Sequence, residues 1–233
     1  MAKKAIGNIA LTGFEDLFNV GVQDGAERVT EIALTELHAP EFHPFNVVND
    51  DAMKNLAESI KLYGVREPGL ARKRGEDEGG YELLSGNRCK MACEIAGLTT
   101  MPVIVRTLND DEAAITMVDA NLQQREKLLY SEKAWAYRVK LEALDHNGVK
   151  GEQHSYEILK AQTGDSKNQI FRFLRLTELV PDLLDKVDTH KIAFSAAVEL
   201  SHLSRKEQAV VVDCMAKYDV KPSFSQSVRL KKR

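Results

Sequence analysis

The chain has 233 residues, with 32 Lys and Arg against 35 Asp and Glu (formal charge −3) and 43% hydrophobic residues. That apolar fraction excludes global disorder. No apolar run approaches the ~18 residues of a membrane helix, and three cysteines exclude a disulfide framework. The length suits one large domain or two small ones, and the composition points to a cytoplasmic protein with reduced thiols and no secretory leader.

Charge is unevenly spread. Residues 1–60 carry 4 basic and 10 acidic side chains, whereas Lys221 to Arg233 carry 5 basic and none acidic. This excludes a uniformly basic nucleic-acid coat and permits a local DNA-binding face. The terminal Lys231-Lys232-Arg233 reads equally well as a solvated helix end.

Residues 1–45, broken by Gly7, Gly13, Gly21 and Gly25, read as a mostly flexible arm with a short helix near Glu15–Phe18. Asn49-Asp50-Asp51 offers caps for an amphipathic helix with Met53, Leu56, Ala57 and Ile60 on one face, ending at Gly64. Pro68–Arg72 and Tyr81–Leu84 read as strands around a polar turn at Gly75–Gly80. A helix follows from Asn87 to Ala96, then a β-branched strand at Pro102–Val105. After Asp110 the strand signal disappears. Helices are expected over Asp110–Leu122 and Ser131–His146, with Ala134, Trp135, Val139, Leu141 and Leu144 as apolar candidates. A loop is expected at Asn147–Gly151, then short helices split by Gly164, Pro181 and Pro222. Ser166 with Gln169, Ser204 with Glu207 and Ser223 with Gln226 have capping-box spacing.

The fold class is therefore α+β: a small mixed domain followed by an all-helical one. The expected divisions are an arm over 1–30, the mixed domain over 31–118, a helical DNA-binding domain over 119–220, and a basic helix or tail over 221–233.

Two segments carry chemistry. Tyr156–Thr163, the break at Gly164, the turn Asp165-Ser166 and the helix Lys167–Leu176 have helix-turn-helix form. Ile170, Phe171 and Leu174 are expected in the core against Ile158 and Leu159, with small Ala161 allowing close approach. Ser166, Lys167, Asn168, Gln169, Arg172 and Arg175 offer the donors and acceptors of a major-groove reader. Asn and Gln can pair with adenine, Arg with guanine, and the helix N-terminus attracts phosphate. An ordinary helix hairpin has the same outline.

The second segment is Ser85-Gly86-Asn87-Arg88-Cys89-Lys90, where a strand runs into a helix. Gly86 permits close backbone approach, and Arg88 and Lys90 add charge beside the positive helix end, which makes a phosphate cradle. A plain strand-to-helix turn is the alternative, and Walker spacing is absent. Cys89 and Cys93, one turn apart, read as buried small residues rather than metal ligands.

In order, these pieces resemble the ParB family of partition proteins, particularly ParB/RepB-like proteins of mobile elements. The resemblance runs from His43-Pro44-Phe45 through Leu83-Leu84-Ser85-Gly86-Asn87-Arg88, Ala96-Gly97-Leu98, Met101–Val105, Asn121-Leu122-Gln123 and Ser131–Ala134 to Lys191-Ile192-Ala193-Phe194. It implies CTP with Mg²⁺ as cofactor, its phosphates on Gly86, Asn87, Arg88 and Lys90 with help from Asn121 and Arg125. Asp119 stands in for the metal-binding Glu, whose own position is Ala120. Asn87 and Cys89 replace the Glu and second Arg of the family's Gly-Glu-Arg-Arg element.

The resemblance also implies a centromere-like double-stranded DNA site, a ParA-type ATPase partner, a homodimer and a nucleoid-associated location away from membranes. Enzymatic activity is at most a slow CTP-hydrolysing switch. A regulator of a mobile element without a segregation role is the nearest alternative. A ParB-like nuclease, with Asp119 and Glu126 as its carboxylates, is the alternative from another class.

Overall fold

The computed structural model describes residues 28–75, 78–124, 128–146 and 152–232. The expected helix near Glu15–Phe18, the loop at Asn147–Gly151, and Arg125 and Glu126 lie outside them.

The chain enters as two short strands, β1 (Val29–Ala33) and β2 (Leu37–His38), joined by a 3₁₀ turn at Leu34–Glu36. This corrects the reading of 1–45 as arm: Val29 and Thr30 are already in the sheet. Neither strand has a clear alternating pattern, and both are fixed by distant partners. β1 pairs antiparallel with β5 (Thr100–Arg106), and β2 pairs parallel with β4 (Tyr81–Ser85). With β3 (Gly69–Lys73) they form one five-stranded mixed sheet in the order β1-β5-β3-β4-β2.

That order has a geometric consequence. A flat five-stranded sheet measures about 19 Å from edge to edge at ~4.8 Å per strand. The residues Leu34–Glu36 that join its two edge strands reach only about 14 Å even when extended. The sheet must therefore curl, bringing its edges towards each other.

Helix α1 (Asp51–Tyr63) starts where the Asp50 side chain accepts a hydrogen bond from the Met53 amide at 2.9 Å. It buries Met53, Ala57 and Ile60, and packs against α2 (Asn87–Ala96). With Ile32, Leu37, Leu83, Cys93, Met101 and Val103 these side chains make the core of the sheet half.

Beyond β5 the chain is helical: α3 (Asp110–Gln124), α4 (Tyr130–His146), α5 (Glu152–Thr163), α6 (Lys167–Leu176), α7 (Pro181–Asp188), α8 (Phe194–Leu200), α9 (Arg205–Tyr218) and α10 (Phe224–Lys231). Ser204 and Ser223 open α9 and α10 with complete capping boxes, as their spacing predicts. Ser131 does not start its helix. It lies inside the first turn of α4, and its amide and hydroxyl bond to Asp188.

The helical half has its own core, centred on Tyr137, Leu159, Ile170, Phe173, Leu176, Leu183 and Ala197. A third cluster joins the halves: Phe45 and Leu84 from the sheet side meet Ala113, Met117 and Val118 of α3 and Ala136 of α4. The division expected at 118/119 lies inside α3, which belongs to both packings.

Two buried charges on α4 tie the halves further. Glu132, 3% exposed, accepts from the Asn46 amide at 2.8 Å and the Leu129 amide at 3.0 Å. Lys140, 1% exposed, donates to Asp119 on α3 and to Gln162 on α5. Removing the carboxylate from such a pair leaves an uncompensated charge in the interior. Asp119→Ala is expected to lower stability by about 3 kcal/mol in denaturant unfolding, whereas Asp119→Leu combined with Lys140→Met recovers most of that loss.

Candidate nucleic-acid and nucleotide sites

The helix-turn-helix is α5, the turn 164–166, and α6. Gly164 takes φ +73°, a left-handed conformation that favours glycine, and closes α5 through its amide to the Lys160 carbonyl at 2.9 Å. Asp165 anchors the turn to α4: its carboxylate accepts from the Tyr137 hydroxyl at 2.6 Å and lies 2.8 Å from the Lys133 ammonium. Burial, then the hydrogen bond to Asp165, pushes the Tyr137 phenol well above its usual range. Ser166 caps α6 by accepting from the Gln169 amide at 3.2 Å. The Gln169 side chain does not complete a box; it accepts from Arg172 at 3.2 Å.

The buried side of α6 is Ile170, Phe173 and Leu176. The expected core set of Ile170, Phe171 and Leu174 is corrected. Leu174 is half-buried and Phe171 is 42% exposed. Phe173 wins the interior because it enters an aromatic group, 5.6 Å from Tyr137, 5.0 Å from Phe194 and 6.3 Å from Tyr130, centroid to centroid. Ala161, expected at the helix contact, is exposed, and Leu159 fills that place.

Ser166, Lys167 and Asn168 stand exposed at the start of α6, with Gln169 half-buried beside them. Arg172 lies with its guanidinium 4.8 Å from the Phe194 ring centre. Arg175 is not brought together with this row. Its guanidinium donates to the Ser201 hydroxyl at 3.2 Å and to the Ser201 carbonyl, closing the C-terminus of α8. Tyr137, Lys133 and Phe194 support the element and were not singled out in the sequence, where Asp165 was read only as a turn residue. Only the turn residues at 164–166 hinted at them, because the partners lie some 20 to 30 positions away.

The second site lies where β4 passes into α2. Gly86 has φ +100°, and a Cβ there would meet the Gly69 Cα at 3.0 Å. The turn thus needs glycine for conformation and for close approach to β3. No side chain caps α2, and Arg88 is exposed beside it. Lys90 pairs with Glu94 at 3.5 Å. Asn87 turns inward: its amide nitrogen donates to the Leu83 carbonyl at 3.3 Å and to His43 Nε2 at 3.2 Å, while His43 Nδ1 donates to the Phe45 carbonyl at 2.8 Å. Asn121 donates to the Met117 carbonyl of its own helix at 2.8 Å.

Asp119 does not fit the magnesium role. It is paired with Lys140, and two residues along a helix place Asn121 about 200° away around the axis. Among the described residues no group of three His, Cys, Asp or Glu side chains is placed to hold a metal ion. The residues present suit the phosphates of a nucleotide better than a divalent cation.

Compared with known proteins, residues 19–122 match the family model of the ParB N-terminal domain. The match groups residues 19–122 with ParB N-terminal domains. The similarity to ParB-related proteins extends past that domain. The nucleoid occlusion protein of Listeria monocytogenes serotype 4a (strain HCC23) is 29% identical over 198 residues, covering 85% of this chain and 65% of that relative. The probable chromosome-partitioning protein ParB of Neisseria meningitidis serogroup A is 28% identical over 197 residues, covering 84% and 65%. The chain thus spans slightly under two thirds of the length of these relatives. Among solved structures, the C-terminally truncated chromosome-partitioning protein ParB of Caulobacter crescentus, complexed to the centromeric parS site, aligns with TM-score 0.50 at 19% identity, covering 87% of this chain and 98% of that one. The ParB fold, a small mixed sheet leading into a helical region, is the one found here.

The cysteines give a direct check on this half of the molecule. Cys93 is fully buried, and burial, then the neighbouring Cys89, pushes its thiol up to about 11. Cys214 is exposed on α9. At pH 8 an alkylating reagent is expected to modify Cys214 in the native protein and to reach Cys93 only after unfolding, because the thiolate is the reacting form. Peptide mass mapping reads the difference.

Proposed function

We propose that this protein docks on a specific double-stranded DNA site through α6 and acts in the segregation of a chromosome, plasmid or mobile element. One observation carries the reading. The buried face of α6 is locked onto an aromatic core while Ser166, Lys167 and Asn168 at its start are exposed, so a rigid helix end is presented outward. Such an end can enter a major groove, with backbone amides and Lys167 on phosphates and Asn168 on a base edge. The helix-turn-helix is then the DNA-binding part and the curled sheet the nucleotide-binding part.

Support also comes from the relatives. The Neisseria protein is named for chromosome partitioning, and the Caulobacter structure holds the centromeric parS site. Relatives named for nucleoid occlusion match this chain equally well. The proposal is therefore built on DNA docking, the step that the geometry of α6 addresses.

A nucleotide, CTP by the family resemblance, is proposed at the Gly86 turn, where uncapped helix amides and Arg88 would hold its phosphates. Asp119 takes no part in it. A homodimer, a ParA-type ATPase partner and a nucleoid-associated location extend the proposal on the resemblance alone. No helix among the described residues is long and apolar enough to cross a membrane.

Selection from a random oligonucleotide pool, followed by titration of the selected site, tests the reading. Asn168→Ala is expected to weaken specific binding by about 1–3 kcal/mol and to relax selectivity at one position, while Lys167→Ala weakens all sequences alike and lowers the salt slope by about 1. Absence of any enriched sequence would overturn the docking. Calorimetric titration with each of the four nucleoside triphosphates is expected to give binding that Arg88→Ala removes. Silence with all four would remove the nucleotide and leave a plain DNA binder.

A further inference from the structure

The outward face of α6 contains one side chain that does not suit a polar surface. Ile170, Phe173 and Leu176 set the buried direction of the helix, and at 100° per residue Phe171 and Arg175 lie most nearly opposite them; Arg175 is drawn to Ser201, which leaves Phe171. Its ring is 42% exposed. It is also held in place. It stacks on Tyr156 of α5 with centroids 4.8 Å apart and planes 28° from parallel, and Tyr156 is itself 5% exposed. The Lys167 ammonium lies 5.2 Å from the Tyr156 ring centre and 5.8 Å from that of Phe171. One face of the Phe171 ring is thus covered while the residue stays exposed, with Lys167 and Asn168 preceding it at the helix start and Arg172 following it.

A ring in that place cannot donate or accept a hydrogen bond to a base edge. In a major groove, where most base edges offer only polar groups, its complement is the C5-methyl of thymine. Stacking on Tyr156 fixes the ring in advance, so contact with a methyl group costs little side-chain freedom.

We infer that Phe171 is a specificity-determining residue that selects a thymine beneath the middle of α6. This rests on the docking proposed above and adds to it the class of base pair read: A·T, recognised through the methyl group rather than through hydrogen bonds. The neighbours divide the work. Lys167 and Asn168 supply charge and polar readout at the helix start, and Phe171 supplies the apolar readout one turn further on.

The test uses the full chain and the DNA site it selects. Each thymine of that site is replaced singly by deoxyuridine, which removes the methyl and leaves every hydrogen-bonding group unchanged. At one thymine the wild-type protein is expected to lose about fourfold in affinity, the worth of one methyl-sized apolar group. Phe171→Ala should bind the thymine and deoxyuridine sites equally. Phe171→Leu, which keeps an apolar side chain, should retain part of the preference, and it guards against an Ala variant whose helix hairpin has loosened. A selected site at which deoxyuridine is tolerated everywhere, or at which Phe171→Ala keeps the wild-type discrimination, overturns this inference and leaves the docking standing. Failure to select any site overturns both.

Discussion

The arrangement of the two halves turns on a single ammonium group. Lys140 sits in the middle of α4 with almost no contact with water, and a buried lysine must either lose its proton or find acceptors. Its acceptors come from two different places, Asp119 on α3 and Gln162 on α5. Helix α3 packs against the end of the sheet through Met117, Val118 and Leu84, and α5 is the first helix of the helix-turn-helix. The charge therefore fixes where the exposed start of α6 stands relative to the sheet. A hydrophobic contact would tolerate sliding. A buried ion pair tolerates it poorly, since any displacement leaves charge unsolvated.

Glu132, two turns earlier on α4, acts in the opposite sense. Its carboxylate holds the amides of Asn46 and Leu129, so the segment leading from β2 to α1 is fastened to the helical half. The edge-to-face contact between Phe42 and Trp135, at 5.5 Å, reinforces the same joint. Helix α4 thus carries a buried anion and a buried cation about two turns apart, each holding groups from other elements. Contacts run from beside the Gly86 turn to α5: Leu84 with Met117 on α3, and Asp119 through Lys140 on α4 to Gln162 on α5.

Local chemistry was legible in the sequence and long-range competition was not. Asp50, Gly64, Gly97, Gly164 and Ser166 each end or start a helix where their own properties require it, and the helix Asn87–Ala96 has the predicted bounds. β1 and β2 were unreadable because two short edge strands draw their stability from Thr100–Ile104 and Tyr81-Glu82, about 70 and 40 residues away. The choice between Phe171 and Phe173 could not be made from periodicity, since both fit a helical stripe that includes Ile170. Tyr130, Tyr137 and Phe194 decided it. The same holds at the candidate sites. Arg175 and Asp119 have suitable functional groups for DNA and metal, but Ser201 and Lys140 engage them first. Arg88 and the start of α6 were readable because their exposure follows from the helix ends that create them.

The curl of the sheet makes residues 28–38 something other than a lead-in to the domain. One strand of this short stretch completes the β5 margin and the other completes the β4 margin, so the segment works as a clasp across an open cylinder. A chain beginning after His38 would lose both closures at once. It would present two bare margins of amides and carbonyls to any extended peptide, including its own copies. Trimming from this end would therefore replace two short edge strands by the longer edges of β4 and β5 rather than merely shorten the domain.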